Sequence, residues 1–146
     1  MARAESLLTE GLAEARASEA AWDEAVITTL LGHLARQQQQ YAVARQRYHE
    51  SLLRLRAFGN PTFIAWCIEG LAAVGEAALA VRLCAAAATQ RALAHTPLPP
   101  TEREAVEQVL AIARTELGDA AFATAWTEGS ALSMEAAVAE ALRGSQ

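Results

Sequence analysis

Ala4-x3-Leu8-x3-Leu12 returns as Ala44-x3-Tyr48-x3-Leu52 and, more loosely, as Ala80-x3-Cys84, so one spacing recurs about every 36 to 40 residues. A unit of that length holds two helices and a turn. Such a unit cannot bury its apolar face alone, so copies must stack. The chain is thereby constrained to an array of α-hairpins, an architecture that offers long binding surfaces more readily than catalytic clefts. The first helix lacks a pairing partner on its N-terminal side, and the chain reads as the end of something longer.

Composition agrees with helix. Apolar residues make up 53% of the 146, chiefly Ala and Leu, with only four Pro. Ala and Leu lose little side-chain entropy on entering a helix. A chain of this length buries roughly 70% of its unfolded surface without metal or disulfide help. The net charge is −5 and every basic residue except histidine is Arg. That balance argues against direct nucleic-acid binding, which draws on an excess of cations. No apolar run approaches the ~20 residues that span a bilayer, and Met1-Ala2-Arg3-Ala4-Glu5 lacks the apolar stretch of a signal peptide. The expectation is a cytoplasmic protein with no membrane contact. Cys67 and Cys84 flank the turn at Gly75-Glu76 about evenly and could face each other across a hairpin; two small buried apolar residues in a reducing compartment is the simpler reading.

Periodicity and punctuation predict seven or eight helices. The first covers Ala2 to about Ala17. The second covers about Ala20 to Gln38, with Ile27, Leu30, Leu31 and Leu34 as its core stripe, and the glutamines 37–40 form its end and turn. The third runs from Tyr41 to about Ala57. Gly59-Asn60-Pro61 then supplies a C-terminal glycine, an N-cap and a proline at the first helical position. A fourth helix spans about Thr62 to Val74 and a fifth about Ala77 to His95, before the rigid Pro97-Leu98-Pro99-Pro100. Thr101 with Glu104 forms a capping box for a sixth, ending near Gly118. Asp119 caps a seventh closed by Gly129, and Ser133 caps the eighth. No segment alternates with a strand's period of two. The chain is all-α and one domain: repeat hairpins over 1–96, a proline-rich turn over 97–100, and capping helices over 101–146.

Thr28-x2-Leu31-Gly32-x2-Ala35, followed by Ala44-x3-Tyr48, resembles the tetratricopeptide pattern without its Trp. Trp66-x2-Glu69-Gly70-x2-Ala73, followed by Ala80-x3-Cys84, keeps the Trp and Gly and loses the Leu. The resemblance implies antiparallel hairpins stacked as a short right-handed α-solenoid. The glycine allows close helix approach, and the small Ala and large aromatic interlock across each hairpin. The last third carries Leu98-Pro99-Pro100, then Leu117-Gly118-x3-Phe122-x2-Ala125-Trp126-x2-Gly129-x2-Leu132-x2-Glu135-x-Ala137-Val138. It resembles the extreme C-terminus of large bacterial regulators that join a STAND-class ATPase to a tetratricopeptide-like region, often beside a LuxR-type DNA-binding domain. This likeness implies a sensor or protein-interaction segment, with ATPase and output domains outside the chain. The chain itself has no Gly-rich phosphate loop with Lys.

In a tetratricopeptide stack the first helix of each hairpin lines the concave groove. Thr29, His33 and Arg36 on the second helix and Cys67, Leu71 and Val74 on the fourth would face it. Such a groove suits an extended peptide or a small polar effector; an ordinary solvated flank is the plainer alternative. Glu69 stands where the pattern has leucine, so it must be exposed, paired with an Arg, or used in binding. Arg36, Arg45, Arg47, Arg54 and Arg56 make a basic stretch, but on the third helix Arg47 and Arg54 lie about opposite Arg45, His49 and Arg56, so no single patch forms. His33, His49 and His95 show no metal-ligand spacing, and Trp22, Trp66, Trp126, Phe63 and Phe122 read as packing residues. The expected function is a non-catalytic interaction or effector-sensing module without metal or cofactor. The alternative is a self-associating assembly element, a homodimer formed through Ala4, Leu8 and Leu12 on the unpaired first helix.

Overall fold

The computed structural model describes residues 2–146, and among these residues there are eight helices and no strand. They are α1 (Ala2–Ala17), α2 (Ala21–Gln37), α3 (Tyr41–Phe58), α4 (Pro61–Ala73), α5 (Ala77–Ala94), α6 (Pro100–Leu117), α7 (Asp119–Ser130) and α8 (Met134–Gly144). No helix among them is long and apolar enough to cross a membrane.

Local chemistry sets most of the boundaries. Gly59 takes φ 67° and ends α3, its N–H donating to the Leu55 carbonyl. Asn60 then accepts the N–H groups of Thr62 and Phe63 at 3.1 and 3.2 Å, and Pro61 opens α4. Ser133 caps α8 by accepting from the Ala136 N–H at 3.1 Å. Three sequence expectations change. Thr101 caps nothing, because α6 starts a residue earlier at Pro100, which needs no acceptor for a missing N–H. Asp119 is the first residue inside α7, where its charge suits the helix N-terminus. Gly129 lies within α7 and does not close it.

The first five helices stack as hairpins: α1 on α2, α2 on α3, α3 on α4 and α4 on α5. The interlock at their centre is one side chain. Tyr48 is fully buried with its ring against Gly32 of its own hairpin and Gly70 of the next; a Cβ on either glycine would come within 2.7 and 2.5 Å of a ring carbon. Leu52, Leu55, Ile68 and Leu83 complete the core around it, each worth roughly 1.5–3 kcal/mol of apolar burial. The core face of α2 departs from the predicted stripe. Leu31 and Leu34 are buried and Ile27 half-buried, whereas Leu30 is 36% exposed and Thr28 and Thr29 are fully buried.

Beyond Thr96 the chain folds back. α6 lies on α5 with a smaller contact to α4, while α7 packs chiefly against α5 and α8 returns across α3, α4 and α5. α5 is therefore covered on many sides, which its run Ala85, Ala86, Ala87 permits by keeping the helix slim. Gly129 makes the same allowance on α7, since a Cβ there would strike the Arg82 backbone. Arg82 also binds Glu140 of α8 at 2.6 Å. The result puts α2, α4 and α6 along one face, with α3 and α5 behind them.

Candidate functional site

The face shared by α2, α4 and α6 holds a small recess of about 40 Å³, with His33, Arg36, Trp66, Glu69, Glu102 and Val106 among its walls. Trp66 and Glu102 also line an adjoining space of about 310 Å³ walled by Phe63, Pro97 and Pro99. A third space of about 380 Å³ lies between α1 and α2 beneath Trp22 and Phe63. A row of rings connects the three. Trp22 meets Phe63 edge-on at 4.8 Å, Phe63 meets Trp66 at 5.9 Å, and Trp66 meets His33 at 4.6 Å. Trp22 and Phe63 pack against the core as expected, and they and Trp66 remain half-buried, so the outer sides of the three rings form the floor of the groove. Their signal in the sequence is spacing: Trp22 and His33 are three turns apart on one face of α2, and Phe63 and Trp66 are one turn apart on α4.

The sequence-predicted groove residues divide. His33, Arg36 and Glu69 do line the recess. Thr29, Cys67, Leu71 and Val74 do not line it and are buried. Thr29 lies 2.5 Å from the Ser51 hydroxyl, which donates to the Ala25 carbonyl at 2.7 Å. Cys67 donates its thiol proton to the Tyr48 carbonyl at 3.2 Å, and burial pushes both Cys67 and Cys84 up to about 12. Both cysteines are free. Thr29 and Cys67 occupy equivalent repeat positions, and the cause is shared: a small polar side chain there reaches the backbone or a hydroxyl of α3 and lets the helices close. Leu71 enters the main core.

Glu69 is paired. Arg91 of α5 donates from Nη2 to Oε1 at 2.7 Å and from Nε to both carboxylate oxygens at 3.1 Å, and both side chains are buried. A further bond from Arg91 to the Thr96 carbonyl at 3.1 Å ties the pair to the connection before α6. Burial pushes the Glu69 carboxyl up, and the Arg91 guanidinium opposes that. Replacing one apolar contact, the pair fixes α4, α5 and the proline turn together.

His33 and Arg36 are held differently. The Tyr48 hydroxyl lies 2.7 Å from His33 Nδ1. A buried phenol needs an acceptor for its proton, and Nδ1 is the one within reach, so Tyr48 donates and His33 carries its own proton on Nε2. That Nε2 is buried without a partner, as is Nε of Arg36. Burial, with the Arg36 charge beside it, pulls His33 down to about 4, so the ring is neutral near pH 7. Burial also holds the Tyr48 hydroxyl well above its ordinary value. Arg36 and Glu102 enter none of the ion pairs among the described residues. The walls of the recess thus hold two buried donors without acceptors, one cation and one anion outside the ion pairs, and an aromatic floor.

Most of the basic stretch is spent elsewhere. Arg45 donates to the Val74 carbonyl at 2.6 Å, Arg54 pairs with Glu24 at 2.9 Å, and Arg47 approaches Glu50 at 3.8 Å. The self-association edge also shrinks. Leu12 is buried and Leu8 half-buried, while Ala4 stays exposed beside a 56% exposed Leu7. α1 packs against α2, and of the line Ala4-Leu8-Leu12 only Leu12 is fully withdrawn from solvent.

No protein-family model matches the chain, and neither a curated protein nor a solved structure is significantly similar to it.

Proposed function

We propose that the chain is a non-catalytic binding module whose partner segment or effector lies in the groove across α2, α4 and α6. The observation that carries this is the pairing of unspent buried donors on His33 and Arg36 with a half-buried Trp66 in one recess. Buried polar atoms without partners are costly and rare in folded proteins, and half-exposed Trp with Arg is the composition of binding hot spots. Trp66→Ala and Arg36→Ala should each weaken capture of the partner from source cells by about tenfold or more, with helix content retained. Capture unaffected by both substitutions contradicts the reading.

The C-terminal motif supports a wider proposal, that the module is the sensor end of a bacterial STAND-class or LuxR-type regulator. Occupation of the groove would then bias the arrangement of the remaining domains. An antibody raised against the chain should detect a native product far larger than 15.5 kDa; a product of that size itself contradicts the regulator reading.

A further inference from the structure

We propose that the groove binds a free α-amino acid with a large apolar side chain, its carboxylate at His33 and Arg36, its ammonium at Glu102, and its side chain against Trp66. The proposal rests on the reading of the α2–α4–α6 face as the binding surface and specifies the ligand of that face.

The charges around the recess decide the class. Arg36 comes from α2, Glu69 from α4 and Glu102 from α6, with Arg91 of α5 behind them. Glu69 and Arg91 neutralise each other through three short hydrogen bonds. What remains is one cation, Arg36, and one anion, Glu102, in the same recess and not joined to each other. A ligand bearing only a carboxylate would be drawn to Arg36 and repelled by Glu102. One bearing only an ammonium group would meet the reverse. A zwitterion satisfies both, and charge-assisted bonds are the strong ones.

Hydrogen bonding places the carboxylate. Nε2–H of His33 and Nε–H of Arg36 are both donors, both buried and both without an acceptor, and a carboxylate is an acceptor only. Size places the rest. The recess of about 40 Å³ admits a carboxylate group and little more. Trp66 and Glu102 border both it and the adjoining space of about 310 Å³, so a ligand anchored in the first emerges past Glu102 into the second. Phe63, Trp66, Pro97 and Pro99 give that second space apolar walls, which fit the side chain of leucine, methionine or phenylalanine.

Titration calorimetry and thermal melting of the whole chain with L-leucine, L-methionine and L-phenylalanine test this. Isocaproate and isoamylamine serve as leucine lacking one charge each. At least one amino acid should bind saturably and raise the melting temperature, and each single-charge analogue should bind about tenfold more weakly or worse. Arg36→Gln and Glu102→Gln should each weaken binding by a similar factor, while the free protein melts nearly as before, since neither group is in an ion pair. No amino acid binding at millimolar concentration, or isocaproate binding as tightly as leucine, would overturn the proposal. The two readings fail separately: amino acids inert while Trp66→Ala or Arg36→Ala still loses the partner removes this ligand alone, whereas capture indifferent to both substitutions removes the groove as well.

Discussion

Glu69 occupies a position that the repeat pattern gives to leucine, and its environment shows how a charged pair can stand in for an apolar contact. Both partners are buried and joined by three hydrogen bonds, so removing one leaves the other as an unpaired buried charge. Glu69→Leu and Arg91→Leu should each cost about 3–5 kcal/mol in urea denaturation, while the double variant should recover most of the loss. Additive losses in the double variant would show that the pair is not the coupled unit described. His33 gives a second prediction. Its folded value near 4 lies below the ordinary histidine value of 6.5, so the unfolded chain binds the proton first as pH falls. Stability from this group is present above about pH 6.5 and is lost as pH falls toward 4, by at most about 3 kcal/mol. Denaturation curves across that window should flatten in His33→Gln; an unchanged slope would contradict the buried neutral ring. At this scale the sequence was a partial guide. It restricted Glu69 to a short set of fates, and it put His33 and Arg36 on one flank. It missed Thr29, Cys67 and Leu71 because helical angle alone does not say which neighbour covers a face; here α3 closes over Thr29 and Cys67, and Leu71 enters the core.

Helix ends were readable where a side chain or a special φ determines them. Gly59, Asn60 and Pro61 act as their chemistry requires, and so does Ser133. Thr101 and Asp119 look like caps in the sequence and are not, because prolines and an intervening glycine shift the start of each helix without any side-chain bond. Gly129 serves packing, not termination. A glycine near a helix end resembles a terminator, yet this one is the point where α7 touches the α5 backbone at Arg82. Helix propensity alone makes Ala better than Gly by about 1 kcal/mol. Overpacking against an immovable backbone costs about 1–3 kcal/mol or more, and the contact should win. Gly129→Ala should therefore destabilise the protein in chemical denaturation, and equal or greater stability would mean that α7 is not held against α5.

Across the whole molecule, the recurring 36-to-40-residue spacing was sufficient to give an all-α stack, because each hairpin must find its neighbour. The return of α8 over α3, α4 and α5 had no local signature. It depends on contacts such as His49 Nδ1 to the Ser145 hydroxyl at 2.6 Å, between residues far apart in sequence. That return matters for function, since it covers the side away from α2, α4 and α6 and leaves their groove as the open polar and aromatic face. The aromatic floor likewise emerged only when α2 and α4 were set side by side. The central claim is that this groove is the surface through which the chain acts. Its most direct test is a photo-crosslinking residue installed in turn at Ala105 and Val109, which line the recess, and at Arg47 on α3, in the source cells. The account predicts a specific adduct from Ala105 and Val109 that is lost on Trp66→Ala and absent from Arg47. A specific adduct from Arg47 alone would contradict it.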